Sequence, residues 1–172
     1  MTTVTVATEI AAPIDRVFPV FTDLEHIAAR VSNIRKIELL TVGGLRLGTR
    51  WLETREVLGR EDTAEMEIAA YERNRTYTIT HHKAGTRIDA VFTFTPNGER
   101  TTVRVEFDLQ SGGLPPGALA PVRWAIADKV RNVIGHDLAE LKEFIEGRSQ
   151  NAATIDDAPV ASLTQDDDTK GG

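Results

Sequence analysis

Cysteine is absent from the 172 residues. Its absence removes disulfide frameworks, thiolate zinc sites, iron–sulfur clusters and cysteine nucleophiles together, and fits a reducing compartment without requiring one. Aromatic residues make up only 6% of the chain, and positive charge is the minority, 20 Lys and Arg against 26 Asp and Glu. No cluster of Lys and Arg stands out that could neutralise a phosphate backbone, which argues against nucleic acid as a partner. No run approaches about 18 uninterrupted apolar residues. Residues 1–9 lack both a basic n-region and a long apolar h-region. The expectation is a cytoplasmic chain with no stable membrane insertion, either a monomer or a weak homodimer.

What is present is enough apolar material, 41% of residues, for one globular domain. Composition shifts after Gly147. Residues 148–172 are rich in Asp, Ala, Thr and Gly, carry the run Asp166-Asp167-Asp168, and show no sustained periodicity. They read as a disordered acidic tail behind a domain of residues 1–147. With Arg148 and Lys170 against five acidic residues, the tail holds half of the net charge of −6.

Within the domain, Val4 and Val6 alternate with Thr3 and Thr5, which reads as a first strand. Pro13 stands at the start of a short amphipathic helix with Ile14, Val17, Phe18 and Phe21 on one face. Pro19 interrupts that helix and predicts a kink or restart. Asp23 reads as the N-cap of a second short helix over residues 24–30. Period-2 alternation then predicts strands over residues 35–41, 49–58, 62–71, 76–82, 86–95 and 101–109. Gly43-Gly44, Gly59, Asn74, Ala84-Gly85 and Pro96-Asn97-Gly98 supply the turns between them. Connections this short make the strands antiparallel neighbours. A Pro/Gly loop, residues 111–120, precedes one long amphipathic helix in which Ile126, Val130, Val133, Ile134, Leu138, Leu141 and Ile145 recur at three- and four-residue steps up to Gly147. The fold class is α+β: a curved seven-stranded antiparallel sheet, two short helices after the first strand, and a long C-terminal helix packed across the sheet.

This order of elements resembles the START-like (SRPBCC, helix-grip) superfamily, and in detail its polyketide cyclase/dehydrase-like branch. The stretches that carry the resemblance are Val6-Ala-Thr-Glu-Ile-Ala-Ala-Pro13, Val17-Phe-Pro-Val-Phe-Thr-Asp-Leu24, Gly48-Thr-Arg-Trp51, Gly59-Arg60, Thr101-Thr-Val-Arg-Val-Glu-Phe107 and Asp137-Leu-Ala-Glu-Leu141. Pro19 departs from the pattern, where an uninterrupted first helix is usual. The resemblance implies lipid carriage, aromatic cyclisation or a toxin-like or regulatory interaction module, because the fold hosts all of these.

Independently of the family, a curved sheet gripping a straight helix cannot close-pack everywhere, and the space left over is a binding site for a hydrophobic small molecule. Strand phase places Met66, Ile68, Tyr77, Ile79 and His81 toward that space, and Trp51, on a strand whose phase is ambiguous, is counted with them. Phe92, Phe94, Val105 and Phe107 follow on the next strands, and Ile126, Val130 and Ile134 on the helix. Trp124, beside the Pro/Gly loop, reads either as a lid residue over the mouth or as packing of the loop against the helix end. The leading function is binding of a lipid-like or aromatic, polyketide-like molecule. The alternatives are a cyclase or dehydratase with His81 or Tyr77 as acid or base, and an interaction module whose surface does the work.

Other features weigh less. Glu53 and Arg55 share a strand face with Trp51, but Leu52 and Leu58 make the opposite face almost as apolar, and an external or rim position is slightly favoured for the charged pair. Arg87 and Asp89 read as solvated. His81 and His82 point to opposite faces and cannot share a metal. His136 and Glu140 are one helical turn apart without a further histidine, so no metal site is expected, nor any cofactor. Gly43-x-x-x-x-Gly48 is followed by Thr49-Arg50 and leads into a strand, which excludes a phosphate cradle. Gly135 in mid-helix costs about 1 kcal/mol relative to Ala, and reads as close packing, a tolerated defect, or room for a ligand.

Overall fold

The computed structural model describes residues 2–57, 59–83, 86–110 and 120–156. Its elements are β1 (Thr2–Ile10), α1 (Ile14–Thr22), a 3₁₀ turn (Ile27–Ala29), β2 (Ile34–Leu39), β3 (Arg50–Val57), β4 (Arg60–Glu72), β5 (Thr76–Lys83), β6 (Thr86–Asn97), β7 (Arg100–Gln110) and α2 (Ala120–Asp156). The strands form a seven-stranded sheet in the order β1-β7-β6-β5-β4-β3-β2, antiparallel throughout. This is the helix-grip architecture, curved sheet against C-terminal helix.

Register turns alternation into rows. Tyr71, Tyr77, Phe92, Val105 and Val6 lie side by side across five strands, and Ile68, Ile79, Ala90, Phe107 and Val4 form the adjacent row on the same face. These rows meet Leu138, Leu141 and Ile145 of α2 and Val17, Phe18 and Phe21 of α1 in one core. Fully burying each such side chain is worth roughly 1.5–3 kcal/mol. The tight turns fall where the sequence carries residues tolerant of positive φ. Asn74 is at φ 58° and Gly98 at φ 59°, the latter in a two-residue connection between Asn97 and Arg100.

Three local expectations are corrected. α1 runs through Pro19 without restarting; in a nine-residue helix the missing N–H removes one hydrogen bond, to the carbonyl of the exposed Asp15, and Pro19 itself faces solvent. The second short helix is a single 3₁₀ turn, and Asp23 does not cap it. Its carboxylate instead accepts from His26 Nδ1 at 2.9 Å and Arg30 NH2 at 2.6 Å. α2 continues to Asp156, past the boundary placed at Gly147, so residues 148–156 are helical where a disordered tail was expected. Residues 157–172, the Pro/Gly loop over 111–119 and the Ala84-Gly85 turn lie outside the described residues.

Side chains fasten α2 to both ends of the sheet. Glu146 accepts from the Ala11 backbone N–H at 2.8 Å, and Lys142 Nζ donates to the Glu9 carbonyl at 2.7 Å. Further along, Glu140 accepts from the Ser32 backbone N–H at 2.8 Å, and Asn33 Nδ2 donates to Asp137 at 3.3 Å. Arg30 lies 4.8 Å from the Phe144 ring centroid. No helix among the described residues is long and apolar enough to cross a membrane.

Candidate functional site

Between the concave face and α2 lies a cavity of about 70 Å³. Its strand walls are Trp51, Glu53 and Arg55 of β3, Tyr77 and Ile79 of β5, and Phe92 of β6. α2 contributes Ile134, Asp137, Leu138 and Leu141, and the chain between α1 and β2 contributes Phe21, Leu24, Ile27, Val31 and Ile34. The volume is small beside the several hundred Å³ of a typical ligand pocket. A larger depression of about 260 Å³ over Glu65, Met66, Glu67 and Thr80 is walled mostly by polar groups and does not suit an apolar guest.

The cavity's polar end is an ion cluster. Glu53 is 7% exposed and Asp137 6%, so Glu53 and Arg55 belong to the inner face. The external or rim position favoured from sequence is thereby corrected. Period 2 from the fully buried Trp51 carries Glu53 and Arg55 inward, where Asp137 of α2 supplies the counter-charge that makes burial affordable. Arg55 Nε donates to Glu53 and its NH1 donates to Asp137 at 2.5 Å. Trp51 Nε1 donates to the other Glu53 oxygen at 3.1 Å. Burial alone would lower the Arg55 pKa, but Glu53 and Asp137 outweigh it and push it above the ordinary arginine value.

Tyr77 donates from its hydroxyl to the Phe21 carbonyl at 3.4 Å. Its burial, reinforced by the negative charge of Glu53, raises its pKa well above that of a free phenol. The ring stacks on Phe92 with centroids 4.7 Å apart. At the wall it serves as a hydrogen-bond donor and an apolar surface.

Of the residues expected at the lining, Trp51, Tyr77, Ile79, Phe92 and Ile134 border the cavity. Ile68, Phe94 and Val105 are buried in the surrounding core without bordering it. Met66 and Phe107 pack against that core half-buried, and Val130 is half-buried on α2. His81 sits in the row between Met66 and Ile88, half-buried, and does not border the cavity. The side chains of Trp124 and Ile126 lie outside the described residues. Asp137 was missed altogether. Its signal is a lone acid three residues after Ile134 and four before Leu141, embedded in the helix's apolar stripe.

The outer positions are ordinary. Arg87 is exposed and pairs with Asp89 at 2.9 Å. His136 Nε2 lies 3.3 Å from both Ser32 Oγ and Glu140 Oε1. No group of three or more metal-ligating side chains occurs among the described residues. A Cβ built on Gly135 meets nothing within 4 Å among the described residues, so close packing does not account for this glycine.

Residues 1–146 match the family described as polyketide cyclase / dehydrase and lipid transport. No curated protein matches the sequence. Among solved structures, the Zhui aromatase/cyclase from Streptomyces superposes with a TM-score of 0.71 at 18% identity, covering 88% of this chain and 97% of that one. A START superfamily protein from Mycobacterium smegmatis gives 0.62 at 18% identity over 87% and 98% of the two chains. Norcoclaurine synthase from Thalictrum flavum, in complex with dopamine and hydroxybenzaldehyde, gives 0.65 at 12% identity over 85% and 87%. At these identities the structural likeness is one of fold.

Proposed function

For a chain that belongs to the polyketide cyclase / dehydrase and lipid transport family, we propose that its role is to bind a hydrophobic small molecule in the cavity between sheet and α2. The observation that carries this reading is the wall itself: aromatic and aliphatic side chains from both layers converge on one space with a single charged cluster at its edge. Apolar walls supply the driving force through burial, and a few polar groups orient the guest. Arg55 offers N–H donors to a carbonyl or hydroxyl oxygen, and the Glu53 and Asp137 carboxylates accept from a hydroxyl.

The void is smaller than the roughly 150 Å³ that receives one benzene ring, so even a compact one-ring guest enters by moving side chains apart. Thermal-shift and native mass-spectrometric screening of the full chain against aromatic, polyphenolic and fatty-acyl compounds tests the proposal. Saturable binding that is lost when Ile134 is replaced by Trp supports it. A featureless panel, or binding indifferent to that substitution, contradicts it.

A cyclase or dehydratase is the second reading, favoured by the likeness to an aromatase/cyclase and by the ion cluster on the cavity wall. Within it, Arg55 would stabilise negative charge developing on a carbonyl oxygen. Turnover of a polyketide-like substrate that is lost in Arg55→Met but kept in His81→Ala would assign the chemistry to the cluster.

A further inference from the structure

We infer that the cavity selects neutral or cationic guests over carboxylates, and that Asp137, as the second acid on a single guanidinium, sets this selectivity. The inference rests on the ligand-binding reading above and names the chemistry of the guest's polar group.

The charged groups on the cavity wall are Glu53, Asp137 and Arg55, and Arg55 is the only cation among the described lining residues. Arg55 pairs with both acids, so two negative charges share one positive charge. All four carboxylate oxygens already accept one hydrogen bond, from Trp51, Arg55, Asn33 and Arg55 again. Each oxygen still has capacity for a further donor. A hydroxyl or ammonium group can therefore complete the cluster. A guest carboxylate would bring a third negative charge to the same guanidinium, where little solvent screens the repulsion.

The surplus can be removed selectively. In Asp137→Asn the new amide faces Arg55 through its oxygen and Asn33 through its nitrogen, and Asn33 accepts by turning its own amide over. Glu53 offers no such relief, because Trp51 and Arg55 are both obligate donors to it.

The experiment is a ¹⁵N NMR titration of the full chain at pH 7 with benzyl alcohol, benzylamine and benzoate, which share one ring and differ in the polar group. Wild type is expected to bind the alcohol and the amine with shifts centred on residues 51–55 and 134–138, and benzoate at least about tenfold more weakly. In Asp137→Asn the deficit of benzoate against benzyl alcohol shrinks several-fold. Repeating the wild-type series in 0.5 M NaCl requires no variant. The ranking persists if the buried cluster sets it, and collapses if it reflects the chain's overall charge of −6. Equal binding of benzoate and benzyl alcohol, a ranking that collapses in salt, or an unchanged deficit in folded Asp137→Asn each overturn the inference while leaving the binding site standing. Failure of all three compounds to bind at the cavity overturns the inference and the binding reading together.

Discussion

Arg55 of β3 and Asp137 of α2, 82 residues apart, are joined by a 2.5 Å hydrogen bond between guanidinium and carboxylate at the edge of the interior cavity. This ion pair ties the long helix to the sheet beside the cavity, so it serves both the fold and the site. Removing Arg55 strands two carboxylates in a poorly solvated place, whereas removing Asp137 leaves Arg55 paired with Glu53. Arg55→Met, which leaves two carboxylates facing each other, is expected to lower unfolding free energy by about 3–5 kcal/mol, and Asp137→Ala by a smaller amount. Urea denaturation followed by circular dichroism measures both. A loss below about 1 kcal/mol for Arg55→Met would mean that the cluster is solvated and worth no more than a surface pair.

Acid sensitivity should localise to the contacts that fasten the chain before β2. Burial disfavours ionised Glu140, but the Ser32 hydroxyl and backbone N–H, with His136, more than compensate and hold its pKa below the ordinary glutamate value. Asp23 is partly buried as well, and its bonds to His26 and Arg30 likewise keep its pKa low. The unfolded chain therefore takes up protons first as pH falls. The stabilisation from both acids is complete above the usual carboxylate range, about pH 4–5, and is lost as pH drops through their folded-state values. Glu140→Gln should flatten the decline of the urea midpoint below about pH 5. An unchanged slope would show that Glu140 is not a stabilising acid.

Gly135 is helical, and among the described residues nothing stands within 4 Å of where a Cβ would be. Gly135→Ala should therefore stabilise the chain by about 0.4–1 kcal/mol, a rise of about 1–4 °C in Tm for a domain of this size. Differential scanning calorimetry reads it directly, and a fall in Tm would mean that the glycine serves a close contact.

The phenol of Tyr77 is buried, bonded to the Phe21 carbonyl and raised in pKa by burial and by Glu53. In Tyr71→Phe, which leaves Tyr77 as the only tyrosine, absorbance at 295 nm should not rise with pH until the protein unfolds. A reversible rise in the folded state near pH 10, the range of a free phenol, would place Tyr77 in contact with solvent.

Strands and the long helix were legible because one face of each is apolar. Ala90, Phe92 and Phe94 against Asp89, Val91 and Thr93, or Val103, Val105 and Phe107 against Arg104 and Glu106, fix a period of 2 that tertiary packing then confirms. Where both faces carry apolar residues the phase is lost. Leu52 offsets Trp51, and Glu53 and Arg55 are therefore assigned to the rim although Glu53 is buried and Arg55 half-buried on the inner face. Asp137 was hidden by the opposite effect, one acid inside an otherwise apolar stripe, whose partner on β3 is only defined once the helix lies across the sheet. Asp23 shows the limit of local rules: its carboxylate has cap chemistry, but Arg30 and His26 capture it. The free volume between layers follows from sheet curvature and side-chain packing together, and no sequence pattern encodes it.

The central claim is that the space between β3, β5, β6 and α2 receives a hydrophobic guest. Its most direct test is the set of intermolecular nuclear Overhauser effects from bound benzyl alcohol to the isolated chain. Contacts from the guest ring to Ile79, Phe92 and Ile134, absent in Ile134→Trp, are the predicted result. Contacts confined to the outer face of the sheet, or a complete set that survives Ile134→Trp, would contradict it.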